Sequence, residues 1–101
     1  MEPTGAYRQS EILDVQLLDV FAQIETLLRL GREVQREALR VRGLPVPVTP
    51  SGRRASGKAI RQHLDEMTAE CQALVEVLTE LHGTATKLDG QLQSESDEAP
   101  Q

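Results

Sequence analysis

The chain is poor in aromatic side chains, since its 101 residues include one Tyr, one Phe and no Trp. Aromatic residues usually supply the bulkiest packing of a globular core, and the apolar residues here are mostly Leu, Val, Ile and Ala. That composition favours helices that pack along a seam over a compact two-layer domain. A chain of this length forms one domain at most and buries a modest share of its surface. We therefore expect it to associate with a partner or with itself.

Cysteine and long apolar runs are scarce as well. The single Cys71 excludes an intramolecular disulfide, and no apolar run approaches the ~18–20 residues that cross a membrane. The N-terminal stretch MEPTGAYRQSEILD is acidic and lacks the basic-then-apolar pattern of a secretory signal. We expect an intracellular protein, cytoplasmic or nuclear, with no membrane span.

Motifs of catalysis are also missing. The sequence has no Gly-rich phosphate loop, no Cys-x-x-Cys pair and no His-Glu-x-x-His. His63 and His82 have no further ligand at helical spacing, so we interpret both as solvated surface residues, and Cys71 as a small core residue. The sequence predicts a protein that is not an enzyme, with no catalytic, cofactor-binding or metal-binding residues.

Apolar or small residues recur along both halves of the chain at alternating steps of four and three. This spacing is typical of a coiled coil. The first stripe comprises Leu13, Leu17, Val20, Ile24, Leu27, Gly31, Val34, Ala38 and Val41. The second comprises Ile60, Leu64, Met67, Cys71, Leu74, Leu78, Leu81, Ala85, Leu88 and Leu92. The prediction is an all-α fold, an antiparallel two-helix coiled-coil hairpin that assembles into a larger helical bundle.

Breakers and caps set the predicted boundaries. Gly43 is a C-terminal stop, Pro45 and Pro47 exclude a helix, and either Thr49 before Pro50 or Ser56 could cap the second helix. Because Gly52 and Gly57 weaken a helix, we place its firm start after them. The predicted segments are a partly ordered N-terminus (1–9), helix 1 (10–42), a Pro/Gly/Arg-rich loop (43–58), helix 2 (59–92) and an acidic disordered tail (93–101).

Two registers of the hairpin satisfy the stripes. Pairing Gly31 with Leu74 matches the stripes in every layer, and a shift by one heptad alternates equally well.

The apolar face near the termini is wider than one partner helix needs. Further apolar residues flank the stripes there, and an exposed strip of this kind is a docking surface. One alternative is that the helices rotate so that a lone hairpin buries it. The predicted partner interface, which would bind other helical subunits of a homo- or hetero-oligomer, comprises Leu17, Leu18, Phe21, Leu28, Val75 and Val77.

Basic residues concentrate in the middle of the chain. Residues 29–62 carry nine basic and two acidic side chains, whereas residues 63–101 carry one basic and nine acidic. The helix dipole favours cations at the end of helix 1 but not at the start of helix 2. A loop of about sixteen residues also exceeds the usual two to eight. The predicted basic tip comprises Arg40, Arg42, Arg53, Arg54, Lys58 and Arg61.

This tip gives a second functional hypothesis, a binding module that engages an anionic partner. An acidic protein surface fits it, while the lack of stacking aromatics and the acidic remainder argue against nucleic acid. The sequence RRAS makes Ser56 a candidate phosphorylation site, and Thr49-Pro50 has the minimal form of a proline-directed one. Phosphate at Ser56 would add negative charge beside Arg53 and Arg54 and weaken such binding.

Overall fold

The computed structural model describes residues 5–98, with side chains as far as Glu95. Two helices account for most of this range, α1 over Gly5–Val41 and α2 over Pro50–Glu98, and residues 5–98 contain no strand. The helices pack against each other as an antiparallel hairpin, which confirms the predicted all-α class and the coiled-coil hairpin.

The hairpin divides into two compact units. The terminal unit combines Met1–Ala22 with Leu74–Gln101, and the loop unit is Gln23–Ala73. The terminal unit thus takes the first half of α1 and the second half of α2, while the loop unit holds the remaining halves and the connection between them.

Helix α1 ends where the sequence predicts, through a glycine in the left-handed conformation. Gly43 has φ +75°, its amide donates to the carbonyl of Arg40 at 2.9 Å, and the amide of Leu44 donates to the carbonyl of Leu39 at 2.9 Å. These two bonds form a Schellman motif, which satisfies carbonyls that the helix end leaves open. Glycine takes this conformation without the steric cost that a Cβ brings.

Helix α2 begins nine residues earlier than the predicted 59, so the assignment of residues 50–58 to the loop is corrected. Thr49 caps the helix: its hydroxyl accepts a hydrogen bond from the amide of Gly52 at 3.0 Å, and its carbonyl accepts one from the amide of Arg53 at 2.9 Å. Pro50 suits the first helical position because its φ is already set. The cost of Gly52 and Gly57, about 1 kcal/mol each, is offset because this segment packs into the hairpin, where Ser56 is buried.

The connection therefore comprises residues 42–49. A connection of that length is ordinary for a helical hairpin, so its length does not indicate a function, contrary to the prediction.

The cap predicts a measurable loss of stability. Thr49→Ala removes the hydroxyl that accepts from the Gly52 amide, and we expect the free energy of unfolding to fall by about 1 kcal/mol. Chemical denaturation followed by circular dichroism measures it. Thr49→Ser keeps the hydroxyl and should retain most of the stability; equal losses in both variants would contradict the capping role.

Both predicted end segments are more helical than expected. Residues 5–9 of the N-terminal segment already belong to α1, and residues 93–98 of the acidic tail continue α2. No Gly or Pro interrupts residues 91–98, which suits a helix throughout this segment. Residues 1–4 and 99–101 lie outside the described part of the chain, so the predictions for them stay predictions.

Candidate helix-docking face

The least exposed positions of each helix form one stripe with steps of three and four, which we call the seam. The seam of α1 comprises Ala6, Gln9, Leu13, Gln16, Val20, Gln23, Leu27, Leu30, Val34 and Glu37. The seam of α2 comprises Ser56, Ile60, His63, Met67, Glu70, Leu74, Val77, Leu81, Thr84, Leu88 and Gln91. Within each unit these residues pack α1 against α2.

Half of the predicted stripe lies in this seam, and the other half lies beside it. Leu13, Val20 and Leu27 were predicted correctly, but Gln16, Gln23 and Leu30 take the places expected for Leu17, Ile24 and Gly31. The same displacement by one residue occurs along α2, where Leu64, Cys71, Leu78, Ala85 and Leu92 are exposed. Cys71 is therefore not a core residue.

The displacement opens one side of the hairpin. A residue four beyond a seam position lies about 40° around the helix from it. When two right-handed helices run antiparallel, one turns clockwise and the other anticlockwise as seen from one end of the pair. The step of four residues from the seam therefore leads to the same side of the helix pair in both helices. In each unit, the displaced apolar residues of α1 and α2 therefore share one side, which we call the open face.

The register is the heptad-shifted alternative. In the loop unit, a Cβ built on Gly31 would lie 3.9 Å from Cε of Met67, whereas the first register pairs Gly31 with Leu74, one heptad further along α2. In the terminal unit, Gly5 faces Gln91, whose Nε2 would lie 2.8 Å from such a Cβ. The shorter connection explains the shift, because it moves the turning point of the chain towards α1.

The seam contains polar side chains with buried polar atoms. The Oε1 atoms of Gln16 and Gln23 are inaccessible to solvent and have no hydrogen-bond partner. Both statements hold for Nδ1 of His63 as well. Thr84 is 8% exposed, but its hydroxyl donates to the carbonyl of Glu80 at 3.2 Å. A buried amide oxygen without a donor costs about 1–3 kcal/mol, so the seam is less favourable than an apolar one.

The open face of the loop unit is a groove of about 500 Å³. Ile24, Leu27, Leu28 and Gly31 of α1 line it with Met67 of α2, and Arg32 and Gln35 form its polar edge. Ile24 is 41% exposed and Leu28 54% exposed. The groove is thus an apolar surface along a helix pair, the kind of surface on which the apolar face of a further helix can lie.

The terminal unit exposes apolar residues on the open face as well. Phe21 is 53% exposed, Val75 61% and Leu78 46%. A separate groove of about 330 Å³ lies on another side of α1, lined by Arg8, Glu11, Ile12, Val15 and Gln16.

The six residues of the predicted partner interface lie at different positions around the two helices. Phe21, Leu28 and Val75 lie on the open face, and Leu18, 64% exposed, flanks Phe21 on its outer side. Leu17 is half-buried at the edge of the seam. Val77 belongs to the seam itself and is half-buried within the hairpin, so it is a hairpin residue and not a docking residue.

Residues that the prediction missed are Ile24, Leu64, Met67 and Leu78. They were assigned to the hairpin contact, yet three of them are more than 40% exposed and Met67 lines the groove. A signal existed in the sequence: Leu17, Phe21, Ile24, Leu28 and Gly31 form a second stripe with steps of four and three.

The predicted basic tip separates into parts. Arg54, Lys58 and Arg61 are exposed on one side of α2, at steps of four and three. Arg42 and Arg53 line a cleft of about 280 Å³ with Val41, Gly43, Pro47 and Val48. Arg40 instead pairs with Glu37 of its own helix at 3.5 Å.

The two candidate phosphorylation sites are both engaged in the fold. Ser56 is 3% exposed, in the second turn of α2, and the Thr49 hydroxyl caps that helix. A kinase would reach Ser56 only after local opening of α2.

Other kinds of site find no support in the described residues. Within residues 5–98, no group of three or more His, Cys, Asp or Glu side chains is placed to hold a metal ion. Neither α1 nor α2, as far as they are described, contains a stretch long and apolar enough to cross a membrane.

Residues 5–98 form an all-α helical hairpin, and each of its two units exposes apolar residues on its open face. Comparison with known protein families, with curated proteins and with solved structures finds no match in any of the three.

Proposed function

We propose that this chain is a non-enzymatic interaction protein, a small coiled-coil subunit or adaptor that contributes two helices to a larger helical assembly. The observation that carries the proposal is the rotation of both helices. It places Gln16 and Gln23 in the seam and leaves Phe21, Leu28 and Val75 exposed. Four-helix bundles have this arrangement, because each of their helices faces two neighbours and needs a wide apolar side.

Burial of the open face supplies the driving force. Fully burying a Val, Leu or Phe side chain contributes about 1.5–3 kcal/mol. Several such side chains outweigh the cost of ordering two surfaces, while a two-helix hairpin with polar residues in its seam buries little by itself. The intracellular location expected from the sequence remains part of this proposal.

The test is the size of the complex that holds the chain in its native cells. We expect tagged wild-type chain to migrate on native size-exclusion chromatography well above 11.2 kDa, and a Phe21→Asp variant to migrate as free chain. Val15→Asp, at a residue that is 63% exposed on another side of α1, serves as the matched control. Migration of the wild type as a free, stably folded monomer would contradict the proposal.

A second function, binding of an anionic partner, is supported by the cleft that contains Arg42 and Arg53. Two guanidinium groups beside one concave surface suit a carboxylate-rich peptide. Fluorescence titration with a polyglutamate peptide tests this, with a duplex oligonucleotide as the nucleic-acid alternative. We expect Arg42→Glu with Arg53→Glu to abolish peptide binding; unchanged binding would remove this candidate.

A further inference from the structure

We propose that the helices which cover the open face come from a second copy of this chain in reversed orientation. The basic loop unit of each copy then packs on the acidic terminal unit of the other. This inference rests on the proposed function and names its partner.

The two units carry opposite charge. The sequence of the terminal unit has two basic and ten acidic side chains, a net charge of −8, and that of the loop unit has nine basic and six acidic, a net charge of +3. A partner whose charge complements both units must itself be divided into an acidic and a basic part. A second copy of this chain meets that requirement.

The charges that flank the open face repeat this division. In the loop unit, Arg32 lies at the edge of the groove. Arg54, Lys58 and Arg61 of α2 are further basic residues beside the open face. The acidic residues at such positions are Glu25 of α1 and Asp65 of α2. In the terminal unit the flanking positions hold Glu11, Asp14 and Asp89, whereas Arg8 and Lys87 lie away from the open face. Copies in the same orientation would set basic flanks against basic flanks, and reversed copies set basic against acidic.

The apolar stripe of α1 is also self-complementary. Leu17, Phe21, Ile24 and Leu28 have steps of four, three and four, which read the same in both directions. A second α1 reversed about the midpoint sets Phe21 opposite Ile24 and Leu17 opposite Leu28. Asp14 precedes the stripe, and Gly31 and Arg32 follow Leu28. The reversed pair sets Asp14 opposite Gly31, one residue from Arg32, so these opposite charges lie close together. Two-fold symmetry makes every such contact twice.

The test is charge exchange on the purified full chain, with the mass followed by sedimentation equilibrium. We expect wild type at twice 11.2 kDa. Asp14→Lys or Arg32→Glu alone should each weaken the dimer about tenfold, because two symmetric contacts change from attraction to repulsion. The double variant should recover to within about threefold of wild type, since reversed charges again oppose. Arg29→Glu, away from the open face, should leave the dimer unchanged.

Three outcomes would overturn the inference. Additive losses in the double variant would exclude the reversed arrangement, as would equal weakening by Arg29→Glu. A wild-type chain that stays monomeric at all concentrations would exclude the second copy as partner; the proposed function would still stand if the chain migrates in a larger complex in cells and Phe21→Asp releases it. Circular dichroism of each variant establishes that a lost dimer is not lost helix.

Discussion

Phe21→Asp is expected to abolish association of the chain with its partner helices while leaving α1 and α2 helical. Phe21 is 53% exposed in the hairpin, so its ring contributes little to packing α1 on α2. In an assembly the same position becomes buried, and a carboxylate there would need to be desolvated without a partner. Loss of a buried Phe alone costs about 3–5 kcal/mol, which is more than a hundredfold in Kd.

The measurement is the concentration dependence of the thermal melt, followed by circular dichroism, together with the mass in solution. Association raises the midpoint with concentration, and we expect that rise in the wild type and not in Phe21→Asp. Leu28→Asp, on the same open face, should behave alike. Val15→Asp is the matched control, because Val15 is 63% exposed on another side of α1. A loss as large with Val15→Asp as with Phe21→Asp would show that the open face is not the docking surface.

The end of α1 could be predicted because it depends on local rules, and Thr49 was one of two caps that the sequence offered for α2. Gly43 adopts the left-handed conformation that ends α1, and Thr49 with Pro50 starts α2. Both follow from backbone groups within a few residues of each other. The choice of Thr49 over Ser56 as the cap required more, since Gly52 and Gly57 argue locally against a helix there. Burial of Ser56 in the hairpin, a tertiary effect, offsets their intrinsic cost.

The rotation of the helices could not be predicted, because the apolar arc of each helix is wider than one contact. The sequence offers two neighbouring stripes on α1, one through Gln16 and Gln23 and one through Leu17 and Ile24, which share Leu13, Val20 and Leu27. A rule that maximises apolar content in a two-stranded seam selects the second. The structure selects the first, so Leu17 and Ile24 lie at the edge of the seam towards the open face. The difference is informative, because a hairpin that leaves apolar residues beside its seam is suited to a further helix pair.

For the basic tip, the sequence showed the composition but not the secondary structure that carries it. Its composition is evident, but its interpretation depended on a loop of sixteen residues, and the connection has only residues 42–49. Most of its charges lie instead on regular helix, where Arg54, Lys58 and Arg61 follow one side of α2. Their spacing, four and three, is a helical one, so these residues flank a helical face.

Replacing both Gln16 and Gln23 by Leu is expected to raise the free energy of unfolding by about 2–4 kcal/mol. Each change removes a buried amide oxygen that has no donor, at about 1–3 kcal/mol, and adds apolar contact in the seam. Chemical denaturation followed by circular dichroism measures the gain. Gln72→Leu, at an exposed position of α2, should change stability by less than about 0.5 kcal/mol. If the stripe through Leu17 and Ile24 formed the seam instead, Gln16 and Gln23 would be exposed, and the double variant would be no more stable than Gln72→Leu.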